Sequence, residues 1–217
     1  MASKTKQLTT LAMLTAIAYV IGMFVRIRFM PGAPFLTYDP KDVVIVIGGF
    51  MFGPLSALAI SWVLAFSEMV THSMSGPWGM LMNGTTSAAF ACTAAVIYKR
   101  YRSIQGAVAG IILGVILTTL VAMLMNYLVV PLFTGWERER VAGMLIPVFM
   151  PFNLIKWTLN GAIAMIMYKP ITTALAAAKL YRPVSTKGKP YLGVLLVSVL
   201  VLVSVILVIL VIRSNGS

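Results

Sequence analysis

The run A-V-A-G-I-I-L-G-V-I-L-T-T-L-V-A-M-L-M-N-Y-L-V-V-P-L-F, Ala107–Phe133, holds 27 residues without a charge. About 20 apolar residues cross a bilayer as one helix, so this stretch reads as a transmembrane span. Working outward from it, six further apolar segments appear: roughly Leu8–Val25, Val43–Phe52, Leu55–Val70, Met80–Tyr98, Pro151–Tyr168 and Leu192–Ile212. Composition agrees. Of 217 residues, 60% are hydrophobic and 10% charged, against ~25% charged in ordinary globular domains. A soluble domain, a disordered chain, a disulfide scaffold and a nucleic-acid-binding module are all disfavoured. The fold class is an all-α membrane protein with little chain left for a soluble domain.

Seventeen Lys and Arg against five acids give a net charge of +12. The cations cluster between apolar runs, where they set orientation. With the N-terminus in the cytoplasm, ten fall inside: Lys4, Lys6, Lys99, Arg100, Arg102, Lys169, Lys179, Arg182, Lys187 and Lys189. Six fall outside: Arg26, Arg28, Lys41, Arg138, Arg140 and Arg213. The acids Asp39, Asp42, Glu137 and Glu139 also fall outside, and Glu68 lies near the outer end of its span. The expectation is a multi-pass protein of the cell membrane, embedded in the lipid bilayer with its N-terminus cytoplasmic. Lys4 and Lys6 before the first apolar run imitate a signal peptide, but Arg26 and Arg28 follow without an A-x-A site, and a retained span is expected. Val43–Phe52 would reach only ~15 Å at 1.5 Å per residue. It is expected as a short helix buried among its neighbours.

Signatures of catalysis are missing. No G-x-x-x-x-G-K-[ST] loop for ATP and no H-E-x-x-H metal motif occurs, and no acidic cluster suggests a metal site. The one histidine, His72, lies beside serines without a visible carboxylate orienter. The one cysteine, Cys92, sits in an apolar run as a packed thiol and has no partner for an intrachain disulfide. Neither catalytic residues nor a cofactor are expected.

Two stretches carry polar chemistry. The first is F-M-P-G-A-P-F-L-T-Y-D-P-K-D, Phe29–Asp42. Its three prolines stiffen it, and it presents Phe35, Leu36 and Tyr38 beside Asp39. It reads either as a rigid connector or as a lid over an outward-facing pocket. The second is P-V-F-M-P-F-N-L-I-K-W-T-L-N-G, Pro147–Gly161. Pro151 suits the first turn of a helix, and Asn153, Lys156 and Asn160 then share one face. A lysine in mid-span costs roughly 2.5–3.5 kcal/mol on insertion scales. Either it snorkels to the headgroups, or the three groups form an inward stripe for a ligand with carbonyl and amide edges. Asn126 and Asn83, amides in otherwise apolar spans, serve equally as helix–helix glue or as ligand contacts. In the first span, Ala12 and Ala16 permit close helix approach.

These residues meet a family. F-L-T-Y-D-P-K-D (Phe35–Asp42), G-G-F-M-F-G-P (Gly48–Pro54) and P-F-N-L-I-K (Pro151–Lys156) together resemble the riboflavin-specific S components of energy-coupling factor vitamin importers. The resemblance covers about residues 5 to 182. It implies a six-helix bundle that binds riboflavin near the outer face. It also implies partners, one coupling membrane protein and two ATPase subunits, with the S component toppling in the membrane to deliver the vitamin. Asn153 and Lys156 then stand where the family contacts flavin, Asn126 aligns with another contact, and Tyr38 with its loop looks like the gate. Phe35, Leu36, Asp39, Gly79, Asn83 and Asn160 complete the expected substrate-binding set. Ala12 and Ala16 match the family's coupling motif. Other vitamins, or FMN as well as riboflavin, remain open, and an intramembrane enzyme lacks a catalytic constellation.

The tail departs from the family. Residues 1–182 are expected as the six-helix substrate-binding unit and 183–190 as a basic linker. The segment 191–213 is long enough for a seventh, C-terminal span that six-helix S components lack. It is either an added anchor or a docking helix.

Overall fold

In the computed structural model, the described residues are 4–30, 33–71, 73, 75–180, 198–199, 201–206 and 209–210. Among the described residues up to Ala177, seven α-helices run in order: α1 (Lys4–Phe24), α2 (Lys41–Phe52), α3 (Pro54–Thr71), α4 (Gly76–Tyr101), α5 (Ile104–Thr134), α6 (Arg138–Met144) and α7 (Met150–Ala177). No strand forms among the described residues; the sole β pairing there is one bridge between Ile27 and Tyr38. His72, the 183–190 linker and most of 191–213 lie outside the described residues.

Among the described residues, five helical segments are long and apolar enough to cross a membrane: α1, α3, α4, α5 and the continuous run Arg138–Ala177. α5 explains its own sequence. Ser103 caps it by accepting a hydrogen bond from the Gly106 N–H at 3.0 Å. Gly135 ends it in the left-handed region at φ 70°, a conformation that suits a residue without Cβ. Its small residues Gly110 and Gly114 face α4, where an added Cβ would meet Ala94 O at 2.7 Å or Phe90 at 3.1 Å. Ile116, Leu120, Leu124 and Leu128 point outward and stay exposed, as lipid-facing side chains do. One helix thus reads as apolar all round because both its surroundings are apolar.

α2 is the short helix that its length suggested, and every residue from Lys41 to Phe50 is buried. It packs against α1, α3, α4 and α7. Gly53, at φ 98°, turns the chain from α2 into α3. Two apolar clusters divide the bundle. The larger gathers α2 with Leu14, Phe90, Ile111 and Trp157. The second gathers the pre-α2 loop (Phe29, Leu36, Tyr38) with Phe149, Phe152, Ile155 and Leu159. Cys92 is half-buried, its Sγ 3.3 Å from Pro54 O.

The expected bounds are extended. Between the expected spans Ala107–Phe133 and Pro151–Tyr168, Arg138–Met144 is helical and joins α7 through a single π turn, Leu145–Phe149. Pro151 therefore opens α7 after a π turn rather than after a loop. Pro147 and Pro151 both lack an N–H, so an uninterrupted α-helical ladder is not available there, and widening to a π turn carries the chain through. α7 also continues to Ala177, past the expected end at Tyr168, with Pro170 inside it.

The described part of the tail, 198–199, 201–206 and 209–210, is helical. Leu202, Val205 and Ile209 pack against the second cluster. Ser198 and Val201 lie over α5 and α7 beside Ile112 and Ala162.

Candidate functional site

Between the pre-α2 loop and the ends of α3, α4, α5 and α7 lies a cavity of about 370 Å³, within the range usual for small-molecule sites. Eight of the ten expected substrate-binding residues line it: Phe35, Leu36, Asp39, Gly79, Asn83, Asn126, Asn153 and Lys156. Tyr38 and Asn160 do not. Tyr38 is 4% exposed within the second apolar cluster. Burial, then the charges of Asp39 and Asp42, hold its phenol above its ordinary pKa. Asn160 lies behind the wall, its amide 3.3 Å from the Asp39 carbonyl and 3.4 Å from Asp42 Oδ2. It braces the start of α2 rather than facing the space.

The stripe on α7 turns inward. Asn153, Lys156 and Asn160 are all buried, so Lys156 does not snorkel. Its Nζ lies 3.3 Å from Asp39 Oδ2 and 5.3 Å from the Trp157 ring centre. Asn153 donates to Phe149 O at 2.8 Å and accepts from Trp157 Nε1 at 3.2 Å. The amide is thereby fixed in orientation, with one N–H still unassigned. Asn126 donates to Ala122 O at 2.7 Å, while its Oδ1 is buried with no hydrogen-bond partner among the described residues. Buried acceptors are nearly always satisfied, so this one stands out among the lining groups.

Several lining residues escaped the sequence reading. Lys41 and Glu68 line the cavity and form a buried pair, with Lys41 Nζ 2.6 Å from both Glu68 oxygens. Glu68 also accepts from Asn83 Nδ2 at 3.4 Å. Arg26 and Arg28, counted only as outer cations, stand at the same cavity, as do Met82, Thr86 and Phe133. The signal for Glu68 was present, since it is the one acid within an apolar span and a buried charge needs a partner. Asp39 sits between two ammoniums, Lys156 at 3.3 Å and Lys41 at 3.9 Å. Burial pushes its carboxyl up, but Lys156 and Lys41 outweigh that and hold it below the usual carboxylate range.

Chemically, the lining is mixed. Phe35, Leu36, Met82, Phe133 and Phe152 supply apolar surface, and Asn83, Asn126, Asn153 and Lys156 supply polar groups. No group of three or more metal-ligating side chains occurs among the described residues. Ala12 and Ala16 lie elsewhere, on the exposed side of α1, opposite the face that buries Leu14 and Ala18.

Comparison with known proteins agrees with this architecture. Residues 6–168 match the family described as ECF transporter, substrate-specific component. The chain is 31% identical over 178 residues to the riboflavin transporter RibU of Staphylococcus aureus (strain TCH60), covering 78% of this chain and 92% of that one. It is 29% identical over 168 residues to the riboflavin transporter FmnP of Bacillus subtilis (strain 168), covering 70% of this chain and 85% of that one. A solved structure of the S component of a bacterial ECF transporter superposes with a TM-score of 0.68 at 32% identity, covering 80% of this chain and 99% of that one. The multi-pass helical bundle, its cavity lined by polar and apolar groups and these matches together place the chain in the family of ECF transporter substrate-specific components, transport subunits rather than enzymes.

Proposed function

We propose that the cavity binds riboflavin, and that the chain captures the vitamin for import. The observation that carries this reading is the presence of complementary groups around one cavity. Asn126 Oδ1 is a buried acceptor without a partner, and the Lys156 ammonium and the Asn153 amide supply donors to the same space. The pyrimidine edge of a flavin alternates carbonyls with one N–H and fits such a set. Its dimethylbenzene end needs only apolar lining of the kind that Phe35, Leu36 and Phe133 supply. The names of the curated relatives support the same ligand. Purified protein titrated with riboflavin should quench flavin fluorescence to a one-to-one end point. Absence of quenching at micromolar protein, with folded protein confirmed by its melting curve, would refute it.

The remainder of the reading concerns coupling. The N-terminus lies in the cytoplasm, and the cavity with its Arg26, Lys41 and Glu68 end faces outside. The exposed Ala12–Ala16 face of α1 meets a coupling membrane protein, which works with two ATPase subunits, and the S component topples to release its cargo inward. Residues 1–182 form the substrate-binding unit, 183–190 a basic linker, and 191–213 an added span. The packing of Leu202, Val205 and Ile209 on the second cluster supports a tail seated on α5 and α7, on helices other than the coupling one.

A further inference from the structure

Asp42 and Asn160 are both 0% exposed and meet behind the cavity wall. Asn160 Nδ2 lies 3.4 Å from Asp42 Oδ2 and 3.3 Å from the Asp39 carbonyl oxygen, so both of its N–H groups have acceptors. The other oxygen of each group, Asp42 Oδ1 and Asn160 Oδ1, is buried without a hydrogen-bond partner among the described residues. Two acceptors cannot satisfy one another. A single proton placed between them satisfies both. Counting charges leads to the same place. Asp39, Asp42 and Glu68 are buried carboxyls, against the buried ammoniums of Lys41 and Lys156. Lys41 lies 2.6 Å from Glu68 and Lys156 lies 3.3 Å from Asp39. Arg26 also acts on Asp39. Asp42 forms no salt bridge among the described residues: Lys41 and Lys156 reach it only from farther off, Asp39 repels it, and Ser87 of α4 presents a hydroxyl that can donate or accept. Tyr38 would feel any charge placed there. A carboxylate taken out of water without a partner takes up a proton instead.

We propose that Asp42 is a proton site: near neutral pH it carries a proton shared with Asn160 Oδ1, closing an acid–amide pair that fastens the first turn of α2 to α7. The acid donates through one oxygen and accepts from Asn160 Nδ2 through the other, so all four heavy atoms are satisfied. A water in the same place could donate to both orphaned oxygens, but it would leave the carboxylate charged and without an ammonium in contact. Asp42 is thereby a positioning residue. Lys156 stands one helical turn before Asn160, and Asp39 stands three residues before Asp42, so the pair steadies the two elements that present these side chains to the cavity. The role does not depend on which ligand the cavity takes.

The proton can be read directly. The chain has five acidic side chains; Glu137 and Glu139 are exposed, and Asp39 and Glu68 face ammoniums. An infrared spectrum of the full-length protein, taken near neutral pH in a detergent without carbonyl groups, should therefore show a protonated-carboxyl stretch that moves in D2O. Asp42→Asn should abolish that band. Asn160→Leu should keep it but move it to higher frequency, because the acid loses its acceptor. A parent without the band, a band that survives in Asp42→Asn, or a band unmoved by Asn160→Leu would each overturn the proposal. Melting curves give a second reading with a definite sign. The amide introduced by Asp42→Asn reproduces the donor and acceptor of the protonated acid. The folded parent keeps a proton that the unfolded chain releases above about pH 3.9, so its stability falls relative to the variant as pH rises. Asp42→Asn should melt higher than the parent near neutral pH, and the gap should narrow as the pH is lowered. A folded Asp42→Asn that melts no higher than the parent would mark an ionised Asp42 supported by the lysines and overturn the proposal. If Asp42→Asn does not fold, the parent band and its response to Asn160→Leu decide by themselves.

Discussion

Lys41 grips Glu68 with a single ammonium, its Nζ standing 2.6 Å from both Oε1 and Oε2 across 27 residues of sequence. Both side chains are about 95% buried. The pair ties the first turn of α2 to α3, with Gly22 of α1 packed against it: a Cβ there would meet Glu68 Oε1 at 3.2 Å and Lys41 Cδ at 3.3 Å. Three helices converge on one ion pair beside the cavity.

Removing one partner of a buried pair costs roughly 3–5 kcal/mol, whereas replacing both by apolar groups is often near neutral. Lys41→Met and Glu68→Gln should each lower the melting temperature clearly in detergent. The double variant Lys41→Met/Glu68→Leu should recover most of the loss. Strict additivity of the two single effects would show that the pair is not energetically coupled.

Two glycines test the packing of the bundle in opposite directions. An alanine Cβ at Gly110 would come 2.7 Å from the Ala94 carbonyl oxygen and 3.2 Å from its Cα, and backbone cannot swing aside. Gly110→Ala should therefore destabilise by separating α4 from α5. At Gly143, within α6, nothing lies within 4 Å of the added atom. Gly143→Ala should stabilise by about 0.4–1 kcal/mol through the unfolded chain. Equal melting temperatures for the two variants would contradict the close α4–α5 approach.

Much of this arrangement was legible in the sequence because a bilayer imposes a coarse code. Uncharged runs fix most of the spans, and the spacing of Asn153, Lys156 and Asn160 fixes their common face. What escaped was contact between residues distant in sequence. Nothing local indicates that Lys41 finds Glu68, or that Asn160 turns to the Asp39 backbone instead of the cavity. The helix from Arg138 was hidden for another reason. Arg138, Glu139 and Arg140 break the apolar pattern, and Pro147 interrupts the helical ladder, whereas the chain carries it through in a π turn that leads into α7 at Met150.

Orientation can be read chemically. In a Cys92→Ala background, Arg100→Cys and Glu137→Cys place single thiols at exposed positions at opposite ends of α4–α5. With the N-terminus cytoplasmic, an impermeant thiol reagent should label the Glu137 variant in intact cells and spare the Arg100 variant until the cells are opened. The converse labelling would invert the topology and put the cavity inside.

Coupling is separable from binding. Ala12 and Ala16 lie on the exposed side of α1, away from the cavity. Ala12→Leu/Ala16→Leu should abolish energised uptake in cells while leaving riboflavin affinity of the purified subunit within about twofold, since bulky side chains prevent close helix approach. Undiminished uptake would take α1 out of the coupling interface.

Lys156 carries the sharpest test, because two of its partners pull in different directions. Lys156→Met keeps most of the stem and its packing near Trp157 but loses the ammonium. Hydrogen bonds to charged groups contribute roughly 1.5–3 kcal/mol, so riboflavin affinity should fall about ten- to a hundredfold. The empty variant should also be less stable than the parent, since Asp39 loses its 3.3 Å partner. That loss should stay below the roughly 3–5 kcal/mol of a fully broken buried pair, because Lys41 stands 3.9 Å from the same carboxylate. Combining Lys156→Met with Asp39→Asn separates the two effects. The double variant should regain stability, as neither charge is then left alone, but it should not regain affinity, since the donor to the ligand is still absent. Fluorescence titration alongside melting curves reads both quantities on the same samples. Recovery of affinity in the double variant would mean that Lys156 served only to neutralise Asp39, and that the flavin edge is held by the asparagines.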